Sequence, residues 1–280
     1  MGNQEKRITT KRERQKTSKK ILENSLLKCE IFFIINKKNE EEFIMPQTLK
    51  LRFNEIVKER FTKEFDTKKV DIEDDLAYIK NDRDGAFVDH TYEVLRCKKI
   101  KAIKLSALNA EDTIYVRNGI ILPEDDYDIP LFTYDLVEAS SRMFSTIDIV
   151  PLLKNEEYNK RYVLPMKPIT DKYNDIPRIE GAKQDISEWG KEFESGQKLY
   201  IRCAKEYEPK IEEAFNEYLD LYISFIKNAE PINDENAKKE MANLKERYKK
   251  AYHENDPGVG PMTIFFGKEW AEKFFEEFPF

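Results

Sequence analysis

The chain has 280 residues, 40% hydrophobic and 36% charged, with a formal net charge of −6, which allows one large domain or two small ones with a core beneath a highly charged surface and argues against nucleic acid as the partner. Three scattered cysteines, Cys29, Cys97 and Cys203, and two histidines, His90 and His253, form no CxxC pair and no Cys/His cluster. That pattern encodes neither a zinc site nor an iron–sulfur cluster and fits free thiols in a reducing compartment.

Residues 1–20 carry eight Lys or Arg against Glu5 and Glu13, with almost nothing apolar, so residues 1–44 read as a basic arm, disordered or processed. The run "IFFIIN" from Ile31 is far short of the roughly 20 residues a membrane span needs. The domain is expected over residues 45–280. Leu49, Phe53, Ile56, Val57 and Phe61 fall at helical spacing, and a charged connection follows. Five β-type runs come next: "GAFVDHTYEV", "KKIKAIKLSAL", "DTIYVRNGIIL", "PLFTYDLVE" and "RMFSTIDIV". Only short turns separate them, so they should pair antiparallel as a meander. A loop-rich stretch holds Pro165, Pro168 and Pro177, and "EWGKEFESGQKLYIRC" reads as a short helix or turn and a further strand. The last third is helical. One helix is lined by Ile211, Phe215, Tyr218, Leu219, Tyr222 and Ile226, the next by Ala237, Met241, Leu244, Tyr248 and Ala251, and "KEWAEKFFEEFPF" closes the chain. The expected fold is an α/β/α sandwich: a central antiparallel sheet flanked by helices in one domain.

Two strands carry polar residues where apolar ones belong. Residues two apart share a strand face, so Asn118 stands with Ile114, Val116, Ile120 and Leu122, and Asp135 stands with Leu131, Thr133 and Val137. A buried carboxylate must pair, hydrogen-bond or keep its proton, and a raised pKa makes it a proton donor near neutral pH. The plainer reading is an Asp that satisfies a loop backbone or marks a bulge. Asp256, in "ENDPGVG", is ordinary Asp-Pro turn chemistry by itself, and His253 reads as a residue at a helix end. With nine glycines and neither GxGxxG nor GxxxxGK[ST], a nucleotide cofactor on a glycine-rich loop is not expected.

"ILPEDDYDIPLFTYDLVEA", "STIDIVPL", "EWGKEFESGQKLYIR" and "NDPGVGPMTIFFGKEWAEKFFEEFPF" together resemble the ferredoxin-dependent bilin reductases, in the right order over residues 114–280. Residues 49–110 match weakly and residues 1–48 not at all. The resemblance implies an oxidoreductase with no bound redox cofactor or metal. An open-chain tetrapyrrole, biliverdin or dihydrobiliverdin, would lie between the sheet and the C-terminal helices. Reduced ferredoxin would deliver electrons singly, and side chains would deliver protons. On this resemblance Asp135 matches the sheet Asp that donates a proton beneath the bilin. Asp256 matches a second donor in members that make phycoerythrobilin or phytochromobilin. Asn118 falls where phycocyanobilin-producing members carry His, and Ser106 falls near their neighbouring acid, which points away from that branch. Lys183 and Arg202 are the candidate cations for the propionates. Lys98, Lys99 and Lys101 are candidates for a basic ferredoxin-docking patch, with a plain solvated face as the alternative.

The expected protein is soluble and monomeric, with ferredoxin and a bilin as partners and neither nucleic acid nor membrane. The expected compartment is the plastid stroma in a eukaryotic phototroph and the cytoplasm otherwise. The competing readings are a red chlorophyll catabolite reductase, a tetrapyrrole-binding protein without turnover, and an interaction protein with charged helices. Asp135 and Asp256 favour an enzyme, since binding alone needs cations more than acids.

Overall fold

A computed structural model describes residues 52–278 except 84–85, 111–113, 140 and 181–187. The arm read over residues 1–44, and Lys183, fall outside the described residues. Helix α1 (Phe53–Glu64) buries Phe53, Val57 and Phe61, the face its spacing implies. The charged connection then holds three elements that its composition hides: strand β1 (Lys68–Val70), the one-turn helix α2 (Asp74–Ala77) and strand β2 (Tyr78–Arg83). The five β-type runs become β3 (Ala86–Cys97), β4 (Ile100–Ala110), β5 (Ile114–Pro123), β6 (Leu131–Ala139) and β7 (Arg142–Val150).

The stretch with Pro165 and Pro168 is helical rather than loop-rich. It runs from α3 (Glu156–Tyr158) through two irregular turns to α4 (Lys167–Tyr173), and its prolines sit in first turns. A proline there loses no hydrogen bond and has its φ already set for the helix. A one-turn helix α5 (Glu188–Lys191) leads to strand β8 (Leu199–Ala204). Four helices end the chain: α6 (Glu208–Asn228), α7 (Glu235–Asn255), α8 (Val259–Phe266) and α9 (Lys268–Glu277). Asp234 caps α7 by accepting from the backbone N–H groups of Asn236 and Ala237, and Gly267, at φ +93°, turns the chain between α8 and α9.

The strands form one antiparallel sheet in the order β1-β3-β4-β5-β6-β7-β8, with β2 also on the outer edge of β3. Alternation sends side chains to two faces, and each face has its own core. Leu105, Ile121, Phe132, Tyr134 and Ile147 pack beneath α1 and α6. Val94, Val116, Ile120, Leu131 and Val137 pack beneath α7, α8 and α9, against Met241, Met262, Trp270 and Phe274. The expected α/β/α sandwich is therefore the observed architecture.

The α1/α6 face is sealed. Phe53 stacks on Phe215 at 3.8 Å and 5°, and Tyr134 meets Phe215 edge-on at 5.0 Å. The Tyr134 hydroxyl donates to Asn54 Oδ1 (2.8 Å), while Asn54 Nδ2 donates to the Ser106 carbonyl (2.9 Å). Gly119 is required beside this ring, because a Cβ there would lie 2.5 Å from the Tyr134 hydroxyl oxygen.

Candidate active site

The register of the strands assembles the site on the α7/α8/α9 face. Tyr92 is opposite Ser106, Ser106 opposite Asn118, Asn118 opposite Asp135, Asp135 opposite Thr146, and Thr146 opposite Tyr200. A row of six polar side chains thus crosses β3 to β8 at one level, on the face whose apolar core packs beneath α7–α9. Opposed Cβ atoms in such pairs lie about 4.5–5.5 Å apart, so Asn118 and Asp135 are immediate neighbours. Register is unbroken on both sides of β6. Asp135 therefore marks no bulge.

Asp256 enters from the other side. It follows the last residue of α7, and its Oδ1 accepts from the Gly258 N–H at 2.7 Å. This is the expected turn chemistry, but the turn also carries the carboxyl into the site. Burial pushes Asp256 up to about 7, and the Asp135 charge adds to the rise, against hydrogen bonds from Gly258 and Tyr252. Asp135 also raises Tyr248 and Tyr252, both of which burial already holds high. The two acids, 121 residues apart in the chain, come close enough for their charges to act on one another and on these two tyrosines.

Arg202 lies on β8, one step along the same face from the row. Its guanidinium stands 5.6 Å from the Phe144 ring centre and 5.8 Å from that of Tyr200, and Nη2 donates to the Tyr200 hydroxyl at 3.0 Å. This holds a cation at the side of the polar row. Asp148, also on this face, is pushed up to about 6 by burial, against hydrogen bonds from the Ser195 N–H and hydroxyl. It anchors the chain ahead of β8. Among the described residues, no group of three His, Cys, Asp or Glu is arranged to hold a metal ion, and no helix is long and apolar enough to cross a membrane.

One lysine of the proposed docking patch has a different task. Lys99 Nζ donates to the carbonyls of Ile226 (2.8 Å), Lys227 (3.2 Å) and Ala229 (2.7 Å), closing the C-terminus of α6. Terminal carbonyls without intrahelical partners attract a cation. Lys98 and Lys101 are exposed.

The sequence pattern passed over His90. It is wholly buried, with Nε2 2.8 Å from Ser106 Oγ. Its signal was parity: His90 shares a strand face with Val88, Tyr92 and Val94. His253 is half-buried on α7, and the charges of Lys249 and Lys104 act with burial to lower its pKa.

Residues 54–280 match the family model described as ferredoxin-dependent bilin reductase. The chain belongs to this family. The match reaches across α1 to β4, where the sequence resemblance was weak. Among curated bilin reductases, the chain is 25% identical over 231 residues to 15,16-dihydrobiliverdin:ferredoxin oxidoreductase of Gloeobacter violaceus, covering 81% of this chain and 93% of that one. It is 26% identical over 204 residues to phycoerythrobilin:ferredoxin oxidoreductase of Nostoc punctiforme, covering 72% and 78%. The fold matches that of phytochromobilin synthase from tomato, solved in complex with biliverdin, with a TM-score of 0.73, 16% identity and 80% of each chain covered. Bilin reductases of this family are oxidoreductases with ferredoxin as electron donor, and this chain is one of them.

Proposed function

We propose that this bilin reductase reduces biliverdin or dihydrobiliverdin at the cleft between the sheet and α7–α9, with Asp135 and Asp256 as proton donors. The observation that carries this reading is the convergence of the two acids from opposite walls, with Asp256 raised to about 7. A carboxyl that holds its proton near neutral pH can donate it to a carbon or nitrogen of a reduced ligand, and the donor works best when its pKa lies near the working pH.

The chemistry balances as two electrons and two protons for each double bond reduced. Ferredoxin supplies electrons one at a time, so a bilin radical stands between the first and second transfers. Asp135, beneath the plane of the ligand, protonates from the sheet side, and Asp256 from the helix side. Each acid regains its proton from solvent before a second round. Arg202 faces a propionate, the role its fixed guanidinium suits. Asn118 lies where a titratable His would allow proton shuttling between pH 5 and 8. Its amide hydrogen-bonds without titrating. This supports products of the dihydrobiliverdin, phycoerythrobilin or phytochromobilin type, with phycoerythrobilin ahead because both acids are present. The names of the curated relatives point the same way.

The test is an anaerobic assay with biliverdin and, separately, reduced ferredoxin and NADPH, with products compared chromatographically with standards. Turnover with ferredoxin alone and a product other than phycocyanobilin is expected. Turnover with NADPH in the absence of ferredoxin contradicts the electron route, and phycocyanobilin as main product contradicts the role given to Asn118.

A further inference from the structure

His90 stands outside the acid pair, yet its side chain is 0% exposed. The ring meets Phe274 edge-on at 4.8 Å and Trp270 at 5.4 Å. Nε2 is 2.8 Å from Ser106 Oγ, and Nδ1 is buried with no partner among the described residues. An orphaned buried N–H is rarer than an under-satisfied acceptor, so the proton belongs on Nε2, and Ser106 Oγ accepts it. Burial pushes the imidazole down to about 3, so the ring is neutral and has only this one donor. Ser106, having accepted, keeps its own O–H to donate. Directly opposite it on β5 is Asn118, whose Oδ1 is buried with no partner among the described residues. A change of side-chain rotamer spans the Cβ separation of about 4.5–5.5 Å.

We infer that His90 and Ser106 are positioning residues that hold the Asn118 carbonyl oxygen toward β4 and so present its NH₂ group to the bilin and to Asp135. This rests on the reading of the cleft given above. An amide has a donor end and an acceptor end. Turned as inferred, it donates to a ring carbonyl of the ligand. Turned the other way, it accepts from a pyrrole N–H and seats the tetrapyrrole differently over the two acids. His90 thereby acts on product choice through Ser106 without touching the ligand.

Two sets of measurements test this. The first needs no ligand. In protein labelled with ¹⁵N-histidine and ¹⁵N-asparagine, His90 should show the Nε2–H tautomer and no titration between pH 5 and 8. The Asn118 side-chain signal, assigned by its loss in Asn118→Ser, should move in Ser106→Ala and in His90→Leu and return toward its place in His90→Gln, which restores a donor. An Nδ1–H tautomer, or an Asn118 signal that Ser106→Ala leaves in place, overturns the inference. The second uses biliverdin. Ser106→Ala and His90→Leu should each shift the bound absorption band and lower product selectivity roughly fivefold, the worth of one hydrogen bond. The double variant should be no worse than either. An unchanged band and product ratio in Ser106→Ala also overturns it. If the wild-type protein leaves the biliverdin spectrum unaltered, the reading of the cleft has failed, and the label experiment alone decides the hydrogen-bonded chain.

Discussion

The two faces of the sheet differ in what they do with polar groups. Beneath α1 and α6, polarity is closed on itself. Tyr134 reaches Asn54, Asn54 reaches the Ser106 carbonyl, and the Tyr222 hydroxyl donates to the Pro130 carbonyl at 3.0 Å. Two buried atoms on that side, Glu138 Oε2 and Ser145 Oγ, lack partners among the described residues, two steps and one step along the strands from Tyr134. Beneath α7–α9, polarity is left open at the centre. His90 Nδ1, Tyr92 Oη and Asn118 Oδ1 lack partners among the described residues, and Asp256 and Asp148 are raised by burial. An unmet buried polar group costs free energy. The first face therefore stabilises the fold, and the second spends some of that stability on a site. Substitutions should separate accordingly into those that unfold and those that only silence.

The sharpest break comes from Asp135→Asn. Turnover should fall about 10²- to 10⁴-fold, the usual worth of a positioned general acid, with the melting temperature nearly unchanged. Biliverdin should still bind, and an organic radical should accumulate by electron paramagnetic resonance, since electrons enter while protonation stalls. Wild-type turnover in this variant removes the acid from the mechanism. Phe215→Ala, on the other face, should show the reverse pattern. It deletes the ring stacked on Phe53 and should cost about 3–5 kcal/mol in denaturant unfolding, with the product ratio of the remaining folded enzyme unaltered. Gly119→Ala should cost about 1–3 kcal/mol, because the Tyr134 hydroxyl occupies the space a methyl needs.

A smaller effect comes from pH. The folded pKa of Asp256, about 7, lies above its ordinary value near 4. Its contribution to stability is therefore full below about pH 4 and is lost as pH rises through about 7. Asp256→Asn should flatten this fall and be more stable than wild type at pH 8 by on the order of 1 kcal/mol, the full shift being reduced by solvent access. An unaltered slope in the variant contradicts the raised pKa. Asp148, raised to about 6, acts with the same sign, and His90, pushed down to about 3, acts with the opposite sign over the same range. The smallest effect separates two lysines. Lys99→Met should lower stability by about 1 kcal/mol through the uncovered end of α6, with no change in the KM for ferredoxin. Lys98→Glu with Lys101→Glu should raise that KM and weaken its salt dependence while leaving stability alone. The opposite assignment returns Lys99 to the docking surface.

Much of this site was legible before the fold. Asp135 and Asn118 announced themselves because strand alternation is strict and a carboxylate on an apolar face needs a reason. Asp256 was legible only through family resemblance, since Asp before Pro is common turn chemistry and the raised pKa comes from burial and the Asp135 charge in the assembled fold. His90 escaped notice because an imidazole among apolar residues does not reveal its partner, and Ser106 is sixteen residues away on the next strand. Lys99 looked like one of a run of surface cations, and the carbonyls it covers belong to a helix more than a hundred residues later in the chain.

By itself the sequence determined the class of fold, the five strands of the meander, the apolar faces of α1 and α6 and the place of Asp135 on an apolar strand face, because each of these follows from local periodicity and turn chemistry, whereas Asp256 stood out only by the family resemblance. The tertiary structure decided what those residues do together. Antiparallel register set six polar side chains in one row, and the packing of α7–α9 on that face closed the distance between Asp135 and Asp256. Burial against those helices then shifted the protonation of Asp256 and His90. Neighbours across a sheet and the depth of a carboxyl are properties of the assembled surface, and no local pattern in the chain encodes them.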